Sequence, residues 1–130
     1  MIQKVVLGNA AEAAASKTKG WVTGHFIPEG LGHTGDFEIK LWHYDAQPDY
    51  GIKVFGGTEF IIVEKGVLTL KLEVPDGDGT FIPRTIELRG LTQDYVILPP
   101  GCKKEVIVAE APSWGVTVRW PSVPGTNKVI

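Results

Sequence analysis

Turn-forming residues interrupt this chain at intervals of roughly 8–12 residues from Gly20 onward, and this spacing limits what it can fold into. Sixteen glycines and nine prolines among 130 residues form most of these turns. The segments between them are too short for most helices but match ordinary β-strands. The spacing therefore predicts an all-β sandwich or barrel. The predicted strands cover residues 21–27, 37–45, 52–55, 59–64, 67–74, 81–88, 94–98, 105–110 and 114–120.

The segment 67–74 shows the alternation expected of a strand with one buried face. Leu68, Leu70 and Leu72 lie on one face of this strand, whereas the opposite face carries polar residues such as Lys71. We therefore expect the three leucines to lie in the core and the lysine to face solvent.

The length and the local composition predict a single domain with short extensions. A chain of 130 residues is the size of one domain and too short for two independent cores. Only residues 9–16 favour helix, because Asn9 is a suitable N-cap and alanines follow it. We expect an N-terminal arm over 1–19, one barrel domain over 20–121 and a short C-terminal tail over 122–130.

Charge and hydropathy make several classes of partner improbable. The chain has 13 basic and 15 acidic residues, so no positive charge marks it as a nucleic-acid binder. Its apolar runs fall far short of the roughly 20 residues that a membrane helix needs. The alanine-rich start resembles a secretory leader, but Asn9 and Glu12 interrupt its apolar part. A single cysteine, Cys102, excludes an internal disulfide and suits a reducing compartment. We expect a cytoplasmic protein with no nucleic-acid or membrane partner.

Two segments of the chain resemble the two motifs of the cupin superfamily. In GIKVFGGTEFIIVEKGVLTLKLE, Glu59 is followed by six residues and then Gly66. In DYVILPPGCKKEVIV, a strand runs into a Pro-Pro-Gly turn at 99–101. The segments 20–27 and 117–122 are further similar to a group of small single-domain bacterial cupins. The resemblance implies a jelly-roll, a cupin-type barrel also described as a double-stranded β-helix.

The chain departs from the cupin motifs at the positions of the metal-binding histidines. Lys53 and Phe55, or Ile52 and Val54 if the spacer is longer, stand where the first motif has two histidines. Lys104 stands where the second motif has one. Only Glu59 remains of the four usual ligands. Zn²⁺, Fe²⁺ and Mn²⁺ need three or more donor atoms, and a protonated lysine repels a cation. The resemblance therefore implies a cupin without a metal or other cofactor.

The remaining histidines and the cysteine have ordinary structural explanations. His25, His33 and His43 belong to two predicted strands and one loop, and residues so far apart can still converge in a barrel. The alternative is that each histidine is hydrogen-bonded separately in the core or at the surface. Cys102 precedes two lysines, which would lower its pKa if it were exposed. With no base or oxyanion site indicated, we expect a neutral cysteine in a turn.

Glu59 is the first candidate for a functional residue, because the cupin register would point it into the barrel. A carboxylate in such a place needs a partner, or its pKa rises until it is neutral. Lys104 and Lys53 are candidate partners, and such a couple would bind a polar ligand or transfer a proton. The alternative is a purely structural ion pair. Glu59 and His43 are the two candidates for a catalytic acid or base.

A second group of candidates shares one face of the predicted strand 37–45. Glu38, Lys40 and Tyr44 lie on this face together with Trp42, and Arg119 is a candidate neighbour on the closing strand. Such a set would line a pocket, with the guanidinium binding a carboxylate or phosphate. The same residues would equally suit an outer sheet face that is stabilised by cross-strand salt bridges.

Three functions remain open from the sequence. The first is metal-independent binding of a small polar or anionic molecule in the barrel lumen. The second is a metal-free enzyme, similar to the cupin sugar isomerases and epimerases, that uses acid and base side chains of the lumen. The third is a structural or interaction protein with a filled lumen. Because cupin-type barrels pair through their sheets, we also expect a homodimer. Core packing is the default expectation for the four tryptophans, and an exposed subset of them would anchor such a dimer: Trp21, Trp42, Trp114 and Trp120.

Overall fold

A computed structural model describes residues 5–129 of the chain, and within this range it contains one helix and eight strands. The predicted all-β class and jelly-roll arrangement are confirmed. The helix and strands are α1 (Ala10–Ala15), β1 (Trp21–Thr23), β2 (Glu38–Tyr44), β3 (Ile52–Phe55), β4 (Thr58–Pro75), β5 (Phe81–Arg89), β6 (Tyr95–Leu98), β7 (Lys103–Trp120) and β8 (Asn127–Val129).

Two long strands organise the sheet. β4 and β7 each have 18 residues, and they pair with one another along most of their length. Because they take different neighbours at their two ends, the sheet curls into two halves. The strand order is β6-β4-β7-β2-β1 in one half and β5-β4-β7-β3-β8 in the other. Each of these pairings is antiparallel.

The bend of β4 explains why the sequence predicted more strands than the structure has. Each long strand was predicted as two shorter ones, but pairing continues across both predicted turns with shifts of register. Gly66 lies at this bend with φ of +79°, a conformation that favours glycine. A Cβ at Gly66 would approach the carbonyl oxygens of Pro112 and Glu110 to about 2.5 Å. The glycine therefore lets the two strands bend together without losing contact.

The two ends of the chain also differ in detail from the sequence-based expectations. The predicted helix is present as α1, and the Asn9 side chain accepts a hydrogen bond of 2.9 Å from the Glu12 amide. The segment 122–130, expected to be a tail, contributes β8, which pairs with β3. In the part of the chain that the structure describes, no helix has the length and apolar character needed to cross a bilayer.

The core lies between the two halves of the sheet. Leu68, Leu70 and Leu72 are buried there, as the alternation of the segment 67–74 predicts, and Lys71 is exposed. Trp42 of β2 packs into the same cluster and is only 3% exposed. The other buried members of the core are Ile61, Val63, Leu88, Leu98 and Cys102.

The opposite side of the first half of the sheet is also apolar. Three paired strands, β6, β4 and β7, place six side chains on this surface, which we call the outer apolar face. The strand registers align them in two rows, and the side chains range from partly buried to exposed. Its residues are Phe60, Ile62, Tyr95, Ile97, Val116 and Val118.

Candidate functional site

The polar face of β2 points into the protein. Glu38 is buried, and Lys40 and Tyr44 are half-buried on the same side as the core residue Trp42. The sequence left open whether this face lines a pocket or forms an outer surface. The structure places it inside, because the two fully buried residues of β2, Glu38 and Trp42, both lie on this face.

A row of alternating charges crosses the middle of the sheet. Glu38 of β2 pairs in register with Arg119 of β7, and Arg119 pairs in register with Glu59 of β4. The Arg119 Nε donates a hydrogen bond to Glu59 Oε2, and the Lys104 Nζ donates one of 2.6 Å to Glu59 Oε1. Arg119 Nη1 lies 3.9 Å from Glu38 Oε2. All four side chains are buried, so these charges interact with little screening.

The pKa values of the carboxyls follow from these contacts. Burial alone would raise the pKa of Glu59. The charges and hydrogen bonds of Lys104 and Arg119 outweigh this effect and lower the pKa to about 2. Burial lowers the pKa of Lys104, and Glu59 opposes this change. Burial also raises the pKa of Glu38, although a hydrogen bond with Ser122 and the charge of Arg119 act in the opposite direction. Glu59 is therefore a fixed anion and a poor proton acceptor at neutral pH.

The Arg119 guanidinium is only partly used by its protein contacts. It lies between two aromatic rings, 4.9 Å from the Trp21 centroid and 5.0 Å from the Phe55 centroid. Its Nε is bonded to Glu59, but its two terminal NH₂ groups have no acceptor at hydrogen-bond distance among residues 5–129. Four N–H donors of a buried, oriented guanidinium therefore remain available.

A cleft of about 430 Å³ reaches Arg119 from the outside, and we call it the Arg119 cleft. Its volume falls within the range of small-molecule sites in proteins. It lies between the segment that follows α1 and the segment that leads into β8. Residues lining it include Lys17, Trp21, His25, Glu38, Arg119 and Asn127.

The interior beyond the cleft holds much less space. About 40 Å³ remains beside Lys40, Tyr50 and Lys53, and about 10 Å³ remains between Glu59 and Cys102. Because a single water needs roughly 10–15 Å³, these spaces accommodate only a few waters or a very small molecule. Arg119 borders the cleft and both inner spaces, so it joins them.

Two lysines of the interior face one another directly. Lys53 of β3 pairs in register with Lys104 of β7, and like charges at such positions repel. Lys104 is neutralised by Glu59, whereas the Lys53 amine lies 4.2 Å from the Tyr50 ring centroid. Burial, then repulsion from Arg119 and Lys104, lowers the pKa of Lys53. The site therefore concentrates positive charge that its two carboxylates only partly neutralise.

The three histidines lie in separate places. His25 Nδ1 is 2.7 Å from Ser122 Oγ, and His33 Nδ1 is 2.7 Å from the carbonyl oxygen of Ile27. His43 lies on the outer side of β2, where its Nε2 is 3.1 Å from Asp45 Oδ1. They do not converge, and His43 does not reach the lumen because odd-numbered residues of β2 point outward. A role for His43 as a lumen acid or base is therefore not supported.

The site does not fit the transition metal that other cupins bind. Both carboxylate oxygens of Glu59 accept hydrogen bonds from cationic side chains, and Lys53 and Lys104 stand at two of the histidine positions. Between residues 5 and 129, no three His, Cys, Asp or Glu side chains group as metal ligands would. Cys102 is buried, and both burial and the Glu59 charge raise the pKa of its thiol. It is therefore a neutral thiol and a weak ligand at neutral pH.

Several residues of the site were missed by sequence analysis. Trp21 and Phe55 enclose the Arg119 guanidinium, Tyr50 lies between two lysine amines, and Ser122 contacts both His25 and Glu38. Each comes from a different strand or loop. The strand register reveals Trp21, because it places this residue directly beside Lys40, whereas Tyr50 and Ser122 lie in loops.

Comparison with known proteins supports the fold but not a particular activity. No family model and no curated protein matches the sequence. Solved structures match at low identity. One from the DMSP lyases RdDddP and RnDddQII has a TM-score of 0.60 and 14% identity, and the match covers 87% of this chain and 53% of that one. Oxalate decarboxylase from Bacillus subtilis has a TM-score of 0.57 and 10% identity, over 74% of this chain and 24% of that one.

A third match is Peruvianin-I, a cysteine peptidase from Thevetia peruviana latex, with a TM-score of 0.54 and 11% identity over 73% of this chain and 56% of that one. The chain spans less than two thirds of the length of each of these proteins. Likeness at this level of identity shows a shared fold and leaves the activity open. The resemblance seen in the motifs and the likeness to these cupin structures agree, and the chain has the cupin fold.

Proposed function

We propose that the protein binds a small organic or inorganic anion at Arg119 without the help of a metal. The observation that carries the proposal is the Arg119 guanidinium, whose terminal N–H groups lack protein acceptors among the described residues and border a cleft of about 430 Å³. Arginine presents paired donors that match a carboxylate or phosphate. The proposal places the ligand in the cleft, because the deeper lumen has little free volume.

The balance of charge supports an anionic ligand. Two carboxylates are surrounded by four basic side chains: Lys40, Lys53, Lys104 and Arg119. Of these four, Lys40 is only partly protonated at neutral pH. One of the two carboxylates, Glu38, has a pKa raised by burial, which disfavours its charged form. Concentrated positive charge at the end of a low-dielectric cleft attracts anions.

We expect oxalate and inorganic phosphate to bind the protein in calorimetric titrations, and we expect the affinity to fall as salt is added. Arg119→Lys should weaken binding at least about tenfold, because a lysine keeps the charge beside Glu59 but loses the paired donors. Arg84→Lys, an exposed position on β5, is the matched control and should leave the affinity unchanged.

Thermal unfolding of each variant shows whether the substituted chain still folds. A wild-type protein that binds neither anion would contradict the proposal and would favour a structural role for the filled interior. Equal affinities of wild type and Arg119→Lys would also contradict it, since the guanidinium would then play no part.

We also propose that the protein forms a homodimer through the outer apolar face. Six neighbouring side chains on three strands offer only one polar atom, the Tyr95 hydroxyl, and Tyr95 and Ile97 are 63% and 56% exposed. A flat apolar surface of this kind is unusual on a monomer. A second copy fits it, because an isologous interface pairs the same patch with itself. The exposed tryptophans, Trp114 and Trp120, are less central to this face than the sequence suggested.

Ile97→Lys should convert a dimer into a monomer in sedimentation velocity, because two buried ammonium groups would meet at the interface. Leu91→Lys is the control: Leu91 is 97% exposed in the turn after β5, away from the outer apolar face, and its substitution should leave the dimer intact. A wild-type protein that sediments as a monomer, or an Ile97→Lys variant that remains dimeric, would exclude this face.

A further inference from the structure

The amine of Lys40 has an unusual environment within the lumen. It lies 4.7 Å from the centroid of Tyr50, 5.8 Å from that of Trp21 and 5.9 Å from that of Tyr44. No carboxylate lies within ion-pair distance of it among the described residues. The amine is therefore surrounded by aromatic rings and has no fixed acidic partner.

Charged groups from other strands also act on this amine. Burial has the largest effect on the pKa of Lys40, and repulsion from three other cations, Lys53, Arg119 and Lys104, adds to it. Together these effects lower the pKa to about 7, whereas the charge of Glu59 acts in the opposite direction. The aromatic faces favour the charged form of the amine, so they also oppose the lowering of its pKa. Near neutral pH a substantial fraction of this amine is uncharged, whereas an ordinary lysine is almost entirely protonated. An uncharged amine with an open lone pair is a nucleophile.

We propose that Lys40 forms a reversible imine with a small aldehyde or oxo acid that enters the space beside Tyr50. This inference goes beyond the anion site proposed in the Arg119 cleft, because it concerns the smaller inner space, which Arg119 also borders and which admits only a very small carbonyl compound. The space of about 40 Å³ next to Lys40 is bordered by Lys53, Lys104 and Arg119, which would hold the carboxylate of an oxo acid. Lys40 and Tyr50, which border this space, are only half-buried.

The chemistry balances without an oxidant or reductant. The Lys40 Nζ lone pair attacks the carbonyl carbon, a C–N bond forms, and the C=O π electrons move to oxygen, which takes up a proton. The resulting carbinolamine loses its hydroxyl as water when the nitrogen lone pair forms the C=N bond. The nitrogen releases two protons in all, one as the carbinolamine forms and one as its hydroxyl leaves, and the oxygen takes up both, so that amine and carbonyl give imine and water.

The test uses glyoxylate as the probe and cyanoborohydride to trap the imine, with peptide mass mapping of the labelled lysines. In the wild-type protein, Lys40 should be labelled at least about tenfold faster than the exposed Lys71 at neutral pH, because far more of its amine is uncharged. The Lys40 rate should rise with pH through about pH 7 and then level off. Lys40→Arg should remove this fast labelling, and Lys65→Arg, at an exposed lysine of β4, should retain it.

Lys40 labelling no faster than that of Lys71 would overturn the inference, and this ratio is measured within the wild-type chain and needs no variant. Oxalate has no reactive carbonyl and tests the anion site separately. If oxalate binds and glyoxylate does not label Lys40, the imine is excluded and the proposed function stands. If glyoxylate labels Lys40 rapidly and oxalate does not bind, the reactive lysine stands and the anion site is excluded.

Discussion

Glu59→Gln is expected to lower the free energy of unfolding by about 3–5 kcal/mol, as measured by urea denaturation at pH 7. The substitution leaves the size of the side chain nearly unchanged but removes its charge. Lys104 and Arg119 would then remain buried without the anion to which both donate hydrogen bonds. A domain of this size has only about 5–15 kcal/mol of stability in total, so the loss is large.

Glu87→Gln is the matched control for this change. Glu87 forms a 2.5 Å ion pair with Arg89, but both side chains are largely solvent-exposed. Such surface pairs contribute at most about 1 kcal/mol, and we expect little change in stability.

In a Lys104→Met background, the additional cost of Glu59→Gln in free energy of unfolding should shrink, because one of the two cations is already absent. Equal losses for Glu59→Gln and Glu87→Gln would show that Glu59 is not part of a buried charge network.

The stability of the wild-type protein is expected to depend on Glu59 at acid pH. The folded-state pKa of Glu59 is lowered from 4.5 to about 2, so folding favours the ionised form. Its contribution of about 3 kcal/mol is complete above pH 4.5 and is lost as the pH falls from 4.5 to about 2.

The difference in the free energy of unfolding between wild type and Glu59→Gln isolates the contribution of Glu59 from that of the other carboxyls. Denaturation curves recorded at several pH values should show a gap that is widest at neutral pH and nearly closed at pH 2. A gap that stays constant across this range would mean that Glu59 titrates in the folded protein as it does in the unfolded chain.

Local patterns in the sequence were sufficient for the fold and for the core. The alternation of Leu68, Leu70 and Leu72 identified a buried strand face, and the spacing of turns identified an all-β fold, which the resemblance to the cupin motifs narrowed to a jelly-roll. The bends of β4 and β7 were predicted as turns, because Gly66 and Pro112 interrupt the local pattern. Only tertiary pairing shows that the strands continue through these bends.

Several residues of the candidate site could be predicted from the sequence, but the direction in which their side chains point could not. One face of β2 mixes charges with aromatic rings and the other is largely aliphatic, so alternation separates Glu38 and Lys40 from His43 without indicating which face is inside. The position of Arg119 directly between Glu38 and Glu59 depends on strand register, which no short sequence motif determines. The contacts of Tyr50 depend on a loop conformation and are equally invisible in the sequence.

The pairing of β4 with β7 has a consequence for the rate of folding. Glu59 and Arg119, for example, are neighbours in space but 60 residues apart in the chain. Before such contacts form, the chain must close a long loop and lose conformational entropy that only later contacts repay. β7 follows most of the other strands in the sequence and contributes to both halves of the sheet. We therefore expect slow, concerted folding on the scale of milliseconds to seconds, with neither half persisting while β7 is unpaired.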